Sequence, residues 1–515
     1  MEETKQYSLL KQGAGTKFLI SFGITIVLAK ALSIAFTKIF TNILPQEDMG
    51  QYAIFVTASM TILAYASIGF QTALNRYTVT YKIQGKKKNL QDLVFSGFIS
   101  FVIIEVLIIG ILLILYLARG FYPSFLEIEP YVLTLLAVGI IALAQYFSTL
   151  CYNIAASLQN SRYYTIPVIM RVLLQIPLGI LFVIYLDLGI LGLILGISAA
   201  EFIVALYCGF VLIKDLGIGK FSFKELKSVF AFSVPVYGKV MLMRTFNLYL
   251  LVYIDQVYPE NGEALIALYV FGALPIANIL LMIGQMFRTV YRPIIFKYFE
   301  KKKLESMEDL TIMISKLYGI IIIAICILVF AFSPILITYL FTNSSYLGGI
   351  YLIPLLFVSQ ACEQLSNIVA YGHTLYYKNY WVLIASVISV GSGVLASYFL
   401  IPSLGLLGIG IVYLIIKGSN LIMLTIVSQR YFKIHYDYKI VVKILIAALI
   451  SIGIGVIFNL FVIEGGINID LVVPFLISTV IYIGLIFLFR LIKKEDYNFA
   501  KNLVKSYINN RTKSA

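Results

Sequence analysis

Two basic residues stand where hydrocarbon should exclude them. Lys30 lies about 13 residues inside the apolar run from Phe18 to Phe40, FLISFGITIVLAKALSIAFTKIF, which at ~1.5 Å per residue is roughly 20 Å from its polar start. Arg244 holds a similar place in a much later run, VFAFSVPVYGKVMLMRTFNLYLLVYI. A base at mid-bilayer costs on the order of 2.5 to 3.5 kcal/mol on insertion scales and is tolerated mainly where it faces water or a bundle interior. Helical spacing puts Gly23, Lys30, Ser33, Thr37 and Thr41 on one face of the first run, and Ser233, Tyr237, Arg244 and Asn247 on one face of the second. Both faces read as walls of a polar cavity. Arg76 and Arg292, separated by nearly the same interval as Lys30 and Arg244, extend the set toward the cytoplasmic end, and Asn278, Gln285 and Arg292 recur every seven residues as one polar stripe. A guanidinium grips phosphate with two parallel bonds and an ammonium acts as a point charge. Lys30, Arg244, Arg76 and Arg292 are therefore the candidate substrate-binding residues, a cationic cavity for an anion such as a diphosphate.

Further charges lie inside apolar segments: Glu105, Arg171, Glu201, Lys239, Lys316, Glu363 and Lys417. Intramembrane charges usually find partners. Arg171 and Glu201 are placed to pair, as are Glu363 and Lys417. Lys239 falls on a different helical face from Arg244, and Lys316 is near enough to the cytoplasmic end to snorkel.

With 61% hydrophobic and 12% charged residues, the chain cannot be a soluble globular protein, whose charged share is usually near 25%. It reads as an all-α polytopic membrane protein of the cell (cytoplasmic or inner) membrane. The net charge of +14 does not point to nucleic acid, because about 30 of the 39 Lys and Arg fall at the two ends or in alternate loops, the positive-inside pattern. Clusters such as Lys86, Lys87 and Lys88 face membrane lipid headgroups on this reading. The polar start lacks the features of a cleaved leader. Cys151, Cys208, Cys326 and Cys362 are widely spaced within apolar runs, and His373 and His435 stand far apart, so no metal, disulfide framework or cofactor is expected.

The elements that must position these residues are about fourteen apolar segments, starting near residues 18, 50, 91, 130, 164, 189, 228, 264, 310, 350, 380, 405, 438 and 469. An even count puts both termini on one side, and their lysines place that side in the cytoplasm. Anchors repeat in order at nearly constant offset: Lys30 with Arg244, Arg76 with Arg292, Asn153 to Ala156 with Asn367 to Ala370, and Leu188 to Gly192 with Leu404 to Gly408. That is the mark of an internal duplication. The expected layout is a first lobe of six helices in 1–215, a second of six in 216–430, and two additional helices with a cytoplasmic tail in 431–515. Lys214 to Lys227, KDLGIGKFSFKELK, is the hinge-like linker, with Phe221, Phe223 and Leu226 placed to lie in the membrane interface. Outward loops are short, which leaves little room for an extracytoplasmic catalytic domain. GxxxxGK[ST], HExxH and GxSxG are all absent, so ATP-driven transport and hydrolytic chemistry have no visible site, and no enzyme activity is expected.

The layout and the first hairpin, KIFTNILPQEDMGQYAIFVTASMTILAYASIGFQTALNRY with Pro45, Gly50, Tyr52, Gly69 and Arg76, resemble the polysaccharide-transporter branch of the multidrug/oligosaccharidyl-lipid/polysaccharide (MOP) exporter superfamily, the Wzx-type flippases. The resemblance covers essentially the whole chain. It implies a V-shaped helical transporter that carries an undecaprenyl-diphosphate-linked oligosaccharide, the repeat unit of an O-antigen, capsule or exopolysaccharide, from the cytoplasmic to the outer leaflet by alternating access. It also implies drive by an ion gradient, H+ or Na+, for which no site stands out. A MATE-type drug exporter would carry an acidic coupling site and usually twelve spans. A MurJ-type lipid II flippase shares the fourteen spans, but its arginine-rich first helix ending in Arg-Glu is missing from AKALSIAFTKIF. A membrane glycan polymerase or ligase would need a substantial outward loop.

Overall fold

The computed structural model describes residues 12–70, 84–117, 131–158, 162–281, 302–369, 380–435, 438–462 and 472–491, with scattered positions in the stretches between. Every described element is helical. In chain order the helices are α1 Gln12–Ile43, α2 Gln46–Ser67, α3 Lys87–Leu117, α4 Tyr131–Leu158, α5 Arg162–Ile180, α6 Gly189–Leu216 and α7 Phe223–Val257, then α8 Gly262–Ala267, α9 Leu304–Ile335, α10 Ile353–Val369, α11 Tyr380–Leu404, α12 Leu406–Tyr431, α13 Tyr438–Val462 and α14 Val472–Leu488. Several ends are wound differently: π-helical turns follow α5, α8 and α9, and a 3-10 stretch, Ser344–Leu352, leads into α10. Eleven helical spans among the described residues are long and apolar enough to cross a bilayer. The chain is an all-α, multi-span membrane protein.

The chain divides into two compact units, one up to Ile266 and one from Ala267. In the first, Phe101 of α3, Tyr146 and Leu150 of α4, Val204 and Cys208 of α6 and Val229 of α7 form one buried cluster. The Phe101 and Tyr146 rings stack with centroids 4.0 Å apart. α7, which the sequence places in the expected second lobe, packs here on α2 and α3.

The first hairpin owes its sequence to this packing. Pro45 caps α2 in extended conformation, and a β-carbon on Gly50 would collide with the Glu263 carbonyl oxygen. Gly69, at φ +70°, ends the helix where the Tyr237 side chain presses in, with Tyr237 Cβ 2.5 Å from where a glycine β-carbon would stand.

The linker between α6 and α7 is fastened rather than free. Asp92 Oδ1 accepts from the Lys220 amide at 2.7 Å, Ser96 Oγ accepts from the Ser222 amide at 2.7 Å, and Gln91 Nε2 donates to the Leu216 carbonyl. Glu225 at the start of α7 accepts from Tyr81 and, at 3.0 Å, from Asn89. Leu226 is buried, whereas Phe221 and Phe223 face outward, so the three expected interfacial residues split between core and surface.

In the second unit α12 packs on α10 and α11. The two C-terminal helices have a definite seat: Ile444 and Ala447 of α13 with Phe475, Tyr482 and Ile486 of α14 close a cluster around Ile320 and Ile327 of α9. Tyr482 adds a hydrogen bond to the Ile320 carbonyl at 3.3 Å.

Candidate functional site

The intramembrane charges fall into two groups, those that neutralise one another and those that do not. On α5 and α6, Arg171 Nε lies 2.8 Å from Glu201 Oε1, and Gln175, one turn on from Arg171, donates to the same oxygen at 3.0 Å. The Glu201 side chain is 3% exposed against 28% for Arg171, so the acid is the enclosed partner. Burying a carboxylate without a partner would cost several kcal/mol, which is why the sequence supplies both a cation and an amide to it. On α10 and α12, Glu363 Oε2 and Lys417 Nζ are 2.7 Å apart, with side-chain exposures of 25% and 12%. Here the base is the more enclosed partner. Lys239 is half-buried and has its own interaction.

Lys30 and Arg244 belong to the other group. Lys30 is exposed on α1, and its ammonium has no hydrogen bond or ion pair with any described residue. Ser33 beside it is also exposed, while Thr37 and Thr41 bond back to the Ser33 and Thr37 carbonyls and Thr41 is buried. The polar face therefore opens around Lys30 and closes toward the helix end. Arg244 is half-buried on α7; its carbonyl accepts from Thr61 at 3.3 Å, but its guanidinium has no partner among the described residues. One residue on, Thr245 shares a 2.7 Å hydrogen bond with Tyr65 of α2, and both side chains are exposed. Ser233 and Tyr237, expected on the same open face, are taken up by α2 instead: Ser233 donates to the Ile68 carbonyl at 3.0 Å and Tyr237 presses on Gly69. α1 and α7 both pack on α2, so the two cations belong to one compact unit. Arg76 and Arg292, with Gln285, lie outside the described residues.

Sequence reasoning missed Gln175, because an amide inside an apolar run carries no charge to flag it. It also missed Tyr65 and Thr245, whose pairing needs two helices 180 residues apart in sequence to meet. Among the described residues no group of three or more His, Cys, Asp or Glu gathers as a metal site, and the four cysteines are free thiols.

A protein-family model described as "Polysaccharide biosynthesis protein" matches residues 16–299, more than half of the chain. The chain belongs to this family. Its all-α, multi-span fold is shared with solved transporters of the MOP superfamily. Solved structures agree on the fold of this polysaccharide biosynthesis protein. An inward-facing multidrug resistance MATE family transporter of the MOP superfamily is 16% identical at a TM-score of 0.63, covering 80% of this chain and 97% of that one. The lipid II flippase MurJ in an inward closed conformation is 14% identical at a TM-score of 0.59, covering 92% of this chain and 98% of that one. No curated protein sequence matches the chain.

Proposed function

We propose that this membrane transporter is a flippase that carries an undecaprenyl-diphosphate-linked oligosaccharide, the repeat unit of an O-antigen, capsule or exopolysaccharide, from the cytoplasmic to the outer leaflet by alternating access. The observation that carries the reading is Lys30, an exposed ammonium deep in a membrane helix, together with the Arg244 guanidinium, neither of which has a partner among the described residues. An uncompensated cation inside a bilayer is sustained by water or by an anion, and a diphosphate supplies the anion. Lys30 and Arg244 contact the diphosphate, with Arg76 and Arg292 extending the cationic path. The family's description supports a cargo from polysaccharide assembly.

The layout that goes with this reading is fourteen spans, with lobes in 1–215 and 216–430, two further helices in 431–515, and both termini in the cytoplasm. It is supported by local features that recur at the interval of the repeat. Gly189 and Gly405 both take positive φ, +52° and +54°, at the starts of α6 and α12, and Gly192 and Gly408 are both crowded by a main-chain carbonyl just upstream. A second reading, a lipid II flippase, is favoured by the likeness to MurJ, which extends over 92% of this chain against 80% for the MATE transporter. The two readings share a lipid-diphosphate cargo and differ in its sugar.

The test is the leaflet position of lipid-linked oligosaccharide in spheroplasts of cells lacking the protein, read with an impermeant lectin. Accumulation out of the lectin's reach is expected. Accumulation on the outer face would overturn the flippase reading in favour of a polymerase or ligase. Neutralising Lys30 and Arg244 together should leave the protein inserted yet abolish surface glycan, and normal display by that double variant would remove both from the site.

A further inference from the structure

The first unit contains a second intramembrane carboxyl, and its surroundings are the opposite of those around Glu201. Glu105 lies on α3 about nine residues before the end of the apolar span Lys87–Ile114, or roughly 13 Å at ~1.5 Å per residue. Most of α3 near it looks outward: Ile103, Val106, Leu107 and Ile111 are all exposed. Glu105 turns the other way, one turn on from the buried Phe101, and is 5% exposed. Its Oε1 is fully enclosed without a hydrogen-bond partner, and the carboxyl makes no hydrogen bond or ion pair with any described residue. Gly139 of α4 leaves the space, since a β-carbon there would stand 4.0 Å from Glu105 Oε1 and 2.5 Å from Ile109 Cδ1.

The helices packed on α3 are α2, α4, α6 and α7. α4 contributes Tyr146 and no charged residue; the charges the others carry are Glu47 and Asp48 in the first turn of α2, Glu201 on α6 with Lys214 and Asp215 in its last turns, and on α7 Lys224, Glu225 and Lys227 at its strapped start and Lys239, Arg244 and Asp255 further along. None bonds Glu105. An ionised carboxylate with one oxygen enclosed in this way, and with neither cation nor donor among the described residues, would cost several kcal/mol, a cost that a bound proton removes. An unpaired acid inside a transmembrane bundle is a marker of proton movement. Where two carboxyls of one bundle have environments this different, one is fixed as the anion and the other is free to exchange.

We propose that Glu105 is a proton-binding site of the transporter. It holds a proton while it is enclosed between α3 and α4 and gives it to water when water reaches it, so that loading and unloading of this carboxyl accompany the transport cycle. The O–H bond breaks heterolytically, the proton leaves on a water molecule, and the carboxylate must regain a proton before it is enclosed again. The link to the cycle rests on the alternating-access reading; the proton-binding site itself does not.

Two measurements test it. The infrared absorption of the purified full-length protein is followed through a pH titration, comparing wild type with Glu105→Gln, which keeps the shape of the neutral acid. The expected result is a neutral-carboxyl band that persists above the range in which ordinary carboxyls ionise, about pH 4, and that is missing from the variant. A wild type without the band, or a variant that keeps it, overturns the proposal. In cells lacking their own copy, E105Q should insert normally yet display glycan at background, while Glu105→Asp retains part of the display with a shifted pH dependence. Wild-type display by E105Q overturns the coupling. If the wild-type protein itself fails to restore glycan, the flippase reading falls, and the infrared result still decides whether Glu105 holds a proton.

Discussion

Glu201 on α6 and Lys417 on α12 are separated along the chain by the same interval that relates Gly189 to Gly405. One is an acid held by an arginine of α5, the other a base held by a glutamate of α10. The sign is reversed and the partner comes from a different helix, yet both positions end as ion pairs. What the two sites have in common is local neutrality, not a particular charge. Against that background Lys30 and Arg244 stand out as intramembrane cations that nothing described neutralises.

The sharpest way to break the comparison is to remove the cation from each pair. Arg171→Met leaves Glu201 enclosed and unpaired and should cost about 3–5 kcal/mol, the range for breaking a buried pair. Lys417→Met leaves the more exposed Glu363 and should cost less, roughly 1–3 kcal/mol. Thermal unfolding in detergent reads both, and equal losses would mean that the pairs are equally enclosed. The comparison is sharpened by reversal. Glu201→Lys alone should be as damaging as Arg171→Met, and adding Arg171→Glu, which reproduces the polarity of the second unit, should recover more than half of the lost stability. A double variant no better than the single would show that the sign is fixed after all.

Gly189→Ala and Gly405→Ala should each cost about 1–2 kcal/mol, because both residues take a positive φ that a side chain disfavours. Their losses should match if the two turns are copies of one another. The smallest effect belongs to the cations that no described residue neutralises. Lys30→Gln should leave the unfolding temperature unchanged while surface glycan falls, and a clear change in stability would mean that Lys30 has a structural partner.

Much of this could be written down from the sequence. Apolar length located the helices, and the two ion pairs followed because a charge in hydrocarbon needs a partner and few were available. The open face of α7 was only half legible. Helical spacing grouped Ser233 and Tyr237 with Arg244, but spacing does not say where a neighbouring helix ends, and α2 ends against the first two. Glu105 was visible as a charge, whereas its isolation is a property of the surrounding helices that no local pattern encodes. The strapped linker was hidden for the same reason, since its acceptors are polar residues at the start of α3 that look like ordinary membrane-surface residues.

That strap bears on how the protein is made. Asp92 and Ser96 are synthesised 128 and 126 residues before the Lys220 and Ser222 amides that they accept from. While α4, α5 and α6 are threaded into the membrane, these acceptors wait hydrated at its surface, and the clasp closes only when the beginning of α7 emerges. The arrival of that one segment therefore converts a row of independently inserted helices into an assembled unit, and a stalled or truncated chain ending before Lys220 would present the quality-control machinery with an unfastened α3.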